Sequence, residues 1–443
     1  MQIIKTYKFR LYPDKKQEQM LLQQTGNSRF LWNKLVEFDK NYQKENNKFS
    51  NQSVLQKEII NLKNEYEFIK LTHSQPLQIN AKRLCDVNFK SVKPENIQKR
   101  KEKIAEAKLK PEAFRKKALA RALNYGKPKF KKKSEMKGSL FYPQNFKIKR
   151  SRMFFAKLGW IQIVKHRNVE GIQKTATITQ DGNQWNVSIA CEIEMKEITK
   201  PKIDDANIVG IDLGIKTFAT FSDGNVIENP RTLKKHLVKL KKEKKKLSRK
   251  EFVSKEINGE TKKVSSNNRT KQRYNVQRLE RKVRNIRQDF LHKASYNIIA
   301  KYDGVVLEKL DIKEMLQKNG SNQNRNTCDV SWYMFGEMLR YKGLWKNKYF
   351  HQVDQYFPSS QLCSECGNRQ KMPINVRTYI CKHCGAVINR DLNGSINVKI
   401  QGIFELKEIH EPCTSATEGI YACGHFPLGK WVKQEKRSLK QAA

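Results

Sequence analysis

Residues 1–12 alternate apolar with polar or basic positions, the period of two expected of a strand exposed on one side. Pro13-Asp14 then opens a helical stretch, because proline is tolerated in the first helical turn. Met20, Leu21, Phe30, Leu31, Leu35 and Phe38 fall near helical spacing, with a break expected at Gly26-Asn27. Helical sequence rich in Lys and Glu continues to about Leu123. From Ser139 to Glu194 the pattern becomes β-like. Strands are expected at 154–158 and 160–164, and at 176–179 and 185–190 around the turn signal Asp181-Gly182-Asn183. These segments predict a small antiparallel sheet or barrel, completed by the N-terminal strand.

Residues 196–206 are polar and contain Pro201, which marks a domain boundary. Beyond it, 207–213 reads as a strand, and 218–222 with 226–228 as a hairpin around Asp223-Gly224. Residues 233–301 read as a helical hairpin, in which Val276, Leu279, Val283, Ile286 and Phe290 keep the 3–4 spacing of one helix packed along another. A short buried strand is expected at 304–310. The Asn- and Gln-rich segment 316–330, with Gly320, reads as a mobile loop. A helix carrying Trp332, Phe335, Met338, Leu339 and Leu344 follows, then a strand at 349–356. There is no internal repeat.

Charge names the partner. The chain has 443 residues, enough for two or three domains, and carries 89 Lys+Arg against 44 Asp+Glu, a net charge of +45. Such an excess repels itself unless a polyanion neutralises it, which points to nucleic acid. The basic residues cluster in a linker at 125–133 and in 234–250, where ten Lys/Arg face one Glu. A membrane surface is the rival, but the sequence has no lipidation motif and no apolar run of about 18 residues. The first residues are too soon charged for a secretory signal. Nine cysteines, four of them in paired clusters, suit a reducing cytosol with one metal site.

The clearest chemical motif is Cys363-x2-Cys366 followed by Cys381-x2-Cys384 across 14 residues, four thiolates for tetrahedral zinc. Gly367 and Gly385 follow the pairs, where a knuckle turn favours a residue without Cβ. Four protein ligands leave no open position, so this Zn²⁺ is structural and linked to folding. His383 reads as a surface residue inside a knuckle. A second site from His410, Cys413, Cys423 and His425 is a lesser candidate. Cys85, Cys191 and Cys328 read as small core or surface residues, and Trp160 and Trp185 as packing.

Three carboxylates stand at the edges of apolar elements. Asp212 ends Ile208-Val209-Gly210-Ile211, Glu308 ends Gly304-Val305-Val306-Leu307, and Asp391 precedes a helix start. An unpaired acid in such a place is costly to bury, and hard oxygen ligands of this kind hold Mg²⁺ or Mn²⁺. A strand, strand, helix set suits an RNase H-like fold that gathers distant acids. Two ions about 4 Å apart could there promote phosphodiester cleavage.

These motifs, in the order Gly210-Ile211-Asp212-Leu213-Gly214, Leu307-Glu308-Lys309-Leu310, the four-Cys ribbon and Asn389-Arg390-Asp391-Leu392-Asn393, resemble the TnpB family. Its members are RNA-guided nucleases of insertion sequences, similar to miniature type V CRISPR effectors. Further matches lie at 27–33, 74–78, 127–133, 157–160, 419–424 and 438–441, so the resemblance runs along nearly the whole chain. It implies a multidomain α+β protein with a helical recognition region (13–124) and a β-barrel-like wedge domain (1–12 and 125–200). A RuvC-like nuclease domain (201–362 and 385–400) would carry the basic helical hairpin 233–301 and an inserted zinc ribbon (363–384). Residues 401–443 would form a mobile tail, and 316–330 the lid over the site.

The resemblance makes Asp212, Glu308 and Asp391 the Mg²⁺-binding catalytic set, and Cys363, Cys366, Cys381 and Cys384 the zinc ligands. Ser74, Gln75 and Gln78 become candidates for reading a short motif beside the target. The implied partners are one guide RNA from the transposon end, bound to a monomer, and double-stranded target DNA, with no membrane. The implied setting is the DNA-associated cytoplasm of a bacterium or archaeon. Asn389 departs from the family, whose members often have Asp there, so a nearby accessory carboxylate is absent. Asn186 after Trp185 is a second departure, without clear consequence. An RNA-guided repressor without cleavage, a DNA transposase and a CRISPR-associated effector are the competing readings.

Overall fold

The computed structural model describes residues 2–132, 138–195, 199–257, 260–318, 320–373 and 376–410. The chain divides into two units, Met1–Met195 and Lys196–Ala443.

The first unit begins with β1 (Gln2–Tyr12) and continues through α1 (Lys15–Asn46), α2 (Gln52–Glu65), a 3-10 turn (Glu67–Leu71), α3 (Ser74–Ser91), α4 (Pro94–Lys108) and α5 (Glu112–Leu123). Six strands follow: β2 (Ser139–Tyr142), β3 (Phe146–Lys149), β4 (Arg152–Phe155), β5 (Gly159–Ile163), β6 (Ile172–Asp181) and β7 (Gln184–Glu194). They join β1 in one antiparallel sheet of order β2-β6-β7-β1-β5-β4-β3. β1 therefore lies inside the sheet, paired with β7 from Gln2↔Glu194 to Leu11↔Trp185. Tyr7, Phe9 and Leu11 are buried with Tyr142, Phe155 and Trp185, while the alternate Lys8 and Arg10 stay in water. The expected barrel is instead an open sheet, since β2 and β3 at its ends do not pair with each other among the described residues. The strand expected at 154–158 stops at Phe155, where Lys157 (φ 64°) and Gly159 (φ 76°) turn the chain. Trp185 is buried, but Trp160 remains 41% exposed.

Asp14 caps α1 by accepting from the Gln17 N–H at 2.7 Å, and Gln17 answers the Asp14 N–H. The break expected at Gly26-Asn27 does not occur, and α1 runs unbroken. Tertiary contact overrides the local signal, because buried Asn27 donates to the Phe68 carbonyl (2.7 Å) and to Thr72 Oγ1 (3.1 Å). The basic linker is pinned along α1: Trp32 Nε1 donates to the Lys129 carbonyl, and Asn33 exchanges two hydrogen bonds with the Lys131 backbone.

The second unit contains β8 (Ile208–Leu213), β9 (Thr217–Phe221), β10 (Val226–Glu228), α6 (Thr232–Ser248), β11 (Phe252–Ile257), β12 (Glu260–Ser265) and α7 (Asn267–Lys301). After them come β13 (Gly304–Glu308), α8 (Ile312–Lys318), α9 (Ser321–Val330), α10 (Trp332–Trp345), β14 (Tyr349–Val353), β15 (Thr378–Ile380), β16 (Val387–Asn389) and α11 (Arg390–His410). Its main sheet has the order β10-β9-β8-β13-β14, with β8, β13 and β14 mutually parallel and β8 antiparallel to β9. β8 and β13 are nearly continuous apolar runs because helices cover both faces. Val209, Ile211, Val305 and Leu307 face α7 and α10, against Leu291, Ile298, Phe335 and Leu339. Ile208 and Val306 face α11, against Val398 and Leu406.

Three expectations are corrected here. Residues 316–330 lie largely in α8 and α9, where Asn324 Nδ2 donates to the Leu316 carbonyl at 2.8 Å and joins the two helices. The helical hairpin 233–301 is interrupted by the β11–β12 hairpin. Residues 401–410 belong to α11 instead of a mobile tail. The remaining tail, with Cys413, Cys423 and His425, lies outside the described residues, and so do the matches at 419–424 and 438–441.

Candidate active site

Strand periodicity aims the first two acids. Residues 208, 210 and 212 share one face of β8, and residues 304, 306 and 308 share the same face of β13, the face that α11 covers. Leu307 pairs with Ile211, so Glu308 and Asp212 come next in the ladder, side by side at the strand ends. Asp391 sits in the first turn of α11, beside them. Two glycines bring that helix close: a Cβ at Gly210 would overlap the Ser395 carbonyl, and one at Gly402 would overlap Val306.

Asp212, Glu308 and Asp391 line one cleft of about 760 Å³, together with Arg231, Lys234, Arg369, Arg377 and Arg390. Gln323, Asn326 and Asp329 of α9 also line it. Burial, then the charge of Asp391, pushes the Asp212 carboxyl up to about 6, against the opposing pull of Arg390 and Arg377. Burial, then Asp212, pushes Glu308 up to about 7. Neither side chain has a cationic hydrogen-bond partner among the described residues. Asp391 does have one: Arg377 Nη1 donates to its two oxygens at 3.2 and 3.4 Å. Adjacent half-buried acids of hard oxygen character, crowded enough to resist ionisation, suit a divalent cation such as Mg²⁺ or Mn²⁺.

Asn389 caps α11, accepting from the Asp391 N–H (2.9 Å) and the Leu392 N–H (3.2 Å). The departure from Asp thus keeps the cap while removing a charge.

The four cysteines meet as their spacing requires. Their Sγ atoms all lie within 4.8 Å of one another, with Cys363–Cys384 at 3.7 Å and Cys366–Cys381 at 3.6 Å. Tetrahedral zinc with Zn–S bonds of about 2.3 Å needs sulfurs about 3.8 Å apart, so the set fits Zn²⁺. In each knuckle the glycine N–H returns to the first cysteine's carbonyl, Gly367 to Cys363 and Gly385 to Cys381, at positive φ. The ribbon runs past Cys384 into β16, which leads directly into α11.

Sequence reasoning missed what fastens ribbon to helix. Asn393 accepts from the Ser364 N–H (2.9 Å) and donates to the Leu362 carbonyl, and Asn397 donates to the Ser359 and Leu362 carbonyls, both at 2.8 Å. Their i, i+4 spacing within Asn393-Gly394-Ser395-Ile396-Asn397 was the available signal. It also missed Arg377, for which the sequence gives no local sign.

Ser74, Gln75 and Gln78 stand in the first turns of α3, in the first unit. His73 Nδ1 accepts from the Gln75 N–H at 3.4 Å, Lys63 Nζ donates to Ser74 Oγ at 3.3 Å, and Ser74 and Gln78 are exposed. His410 closes α11, with its ring 5.5 Å from that of Tyr349.

Three family models match the chain: "Probable transposase" over residues 188–319, "Cas12f1-like, TNB domain" over 332–398 and "Helix-turn-helix domain" over 1–48. "Putative RNA-guided DNA endonuclease InsQ" of Escherichia coli (strain K12) is 28% identical over 100% of both chains. The chain belongs to the TnpB family. A second relative, "Putative RNA-guided DNA endonuclease" of Streptomyces pristinaespiralis, is 32% identical, the match covering 62% of this chain and 65% of that protein. Among solved structures, a Cas12f1–sgRNA–target DNA complex aligns with 90% of this chain and 99% of its own at 12% identity, with a TM-score of 0.40. In this TnpB chain the helix-turn-helix match spans β1 and the single helix α1. No helix among the described residues is long and apolar enough to cross a membrane.

Proposed function

We propose that this TnpB protein is a transposon-encoded RNA-guided DNA endonuclease that hydrolyses phosphodiester bonds in the cleft of Asp212, Glu308 and Asp391. The observation that carries the proposal is the convergence of three acids from β8, β13 and α11 on one arginine-rimmed cleft. The names of its relatives point the same way. The strand order β10-β9-β8-β13-β14, with helices on both faces, supports a RuvC-like, RNase H-type reading of this unit. The first unit would supply the recognition helices and the wedge sheet.

Asp212, Glu308 and Asp391 would hold Mg²⁺ or Mn²⁺, which supplies Lewis-acid activation of water and stabilisation of the leaving oxygen. Arg369, Arg377 and Arg390 would bind the phosphates on either side of the scissile bond, since guanidinium matches phosphate geometry. Arg377 would exchange Asp391 for phosphate as DNA enters. Gln323, Asn326 and Asp329 of α9 would border the entering strand as a lid. The four cysteines would hold structural Zn²⁺, and through Asn393 and Asn397 that ribbon would fix the start of α11.

Sequence specificity would come from pairing of guide RNA with DNA, and Ser74, Gln75 and Gln78 would contact the motif beside the target. The working form would be a monomer with one RNA in a bacterial or archaeal cytoplasm. The test is to purify the protein with its native flanking DNA, sequence the RNA that accompanies it, and retarget that RNA to a plasmid. A single RNA crossing the transposon end, with cutting that stops in EDTA, supports the proposal. Guided binding without cutting would favour a repressor, and RNA-free joining of transposon ends would favour a transposase.

A further inference from the structure

We propose that an exposed lysine stripe on α6 is a track for the DNA strand entering the Asp212–Glu308–Asp391 cleft, an inference that rests on the nuclease reading above. The helix opens at the cleft, because Arg231 just before it and Lys234 in its first turn line the same cavity as the acids. With 3.6 residues per turn, Lys234, Val238, Lys241 and Lys245 fall on one stripe, with Lys242 beside it. The stripe points away from Leu240, the helix's buried apolar residue. All five stripe residues are exposed, Val238 at 80%.

The helix sorts its lysines by partner. Lys244 pairs with Glu280 at 2.7 Å and Lys246 with Glu243 at 2.9 Å, off the stripe. The side-chain ammonium groups of Lys234, Lys241, Lys242 and Lys245 make no ion pair or hydrogen bond among the described residues. For the protein alone this arrangement is unfavourable twice over. Like charges stand one turn apart at Lys241 and Lys245, and Lys234 and Lys235 stand at the positive end of the helix dipole. A row of phosphates reverses both effects, and Val238 offers apolar contact to a sugar or base edge.

The occupant is the strand being cut, because Lys234 belongs to both stripe and cleft. Asp329 Oδ2 already accepts from the Leu233 N–H at 2.9 Å, so contact there falls to side chains more than to helix amides. The 17 residues of α6 span about 25 Å, the axial rise of about seven nucleotides of one strand at about 3.4 Å each.

The test compares the full-length protein with its Lys241→Ser/Lys245→Ser variant, each loaded with guide RNA. Two targets are used: one whose cut strand stops at the edge of the cleavage site, and one whose cut strand continues about ten nucleotides beyond it at either end, longer than the track. On the extended target the variant is expected to raise KM several-fold with kcat unchanged. The slope of log KM against log salt should fall by about 1.4, about 0.7 per lost lysine–phosphate contact. The truncated target should show neither effect. Equal losses on both targets with weaker guide RNA binding would assign the stripe to RNA and overturn the proposal, as would no change on either. If the unsubstituted protein cuts neither target, the nuclease reading itself has failed and the track falls with it.

Discussion

Gly210→Ala tests whether close approach of α11 to β8 builds the cleft. A Cβ at position 210 would overlap the Ser395 carbonyl oxygen and crowd the Lys399 amide nitrogen at 2.5 Å and Lys399 Cβ at 2.7 Å. Two of these are backbone atoms and cannot rotate aside, so α11 must shift from the sheet. Overpacking of this kind costs about 1–3 kcal/mol, while lower chain entropy in the unfolded state returns about 0.4–1 kcal/mol. The net expectation is about 1–2 kcal/mol of destabilisation, roughly a 5- to 30-fold drop in the folded ratio. Because Asp391 rides on α11, guided cutting should fall further than folding alone explains. Guanidinium denaturation gives the first quantity, and single-turnover cleavage well below the melting transition gives the second. Gly26→Ala within α1 is the control, since a Cβ there meets only Arg29 Nη2, at an ordinary 3.8 Å. A Gly210→Ala protein with unchanged midpoint and cleavage rate would refute the account of how the helix places its acid.

Other expectations follow from the site. Asp212→Ala should lower guided cutting by at least about 10³-fold, as loss of several kcal/mol of metal-assisted stabilisation implies, while RNA and target binding by gel shift stay close to normal. Cutting within tenfold of the parent would remove Asp212 from the chemistry. Cys363→Ser should reduce bound zinc, read by atomic absorption, and loosen the ribbon; zinc content equal to the parent would contradict the four-thiolate assignment. Asn397→Ala strands the Ser359 carbonyl and leaves the Leu362 carbonyl to Asn393 alone, and should cost about 1–3 kcal/mol with faster amide exchange across 359–366. Unchanged exchange there would mean that the ribbon is fastened by other contacts.

What could be read from the sequence divides along a physical line. The strands bearing Asp212 and Glu308 were visible because burial on both faces leaves a short, unbroken apolar run ending in an acid. The zinc ligands were visible because a metal imposes spacing. α9 was hidden because its composition is polar and its hold comes from Asn324 and from tertiary caps, which have no periodic signature. Gly26-Asn27 misled because Asn27's polarity is satisfied 41 residues away. The β11–β12 hairpin was within reach, since Asn258-Gly259 is a hairpin dipeptide set between alternating residues. The pairing of Arg377 with Asp391 depends on how the ribbon folds back, and no local pattern encodes it.

The placing of the third acid also matters during synthesis. β8 and β13 leave the ribosome long before α11, so for much of translation the face carrying Ile208, Gly210 and Val306 has no cover and the cleft holds two acids of three. A chain ended before α11 therefore has an uncovered, sticky sheet prone to clump and, on the proposed nuclease reading, would be unable to cut. By relying on a later helix to cover the sheet and bring in the third acid together, the fold would keep the proposed nuclease centre incomplete until α11 has been made.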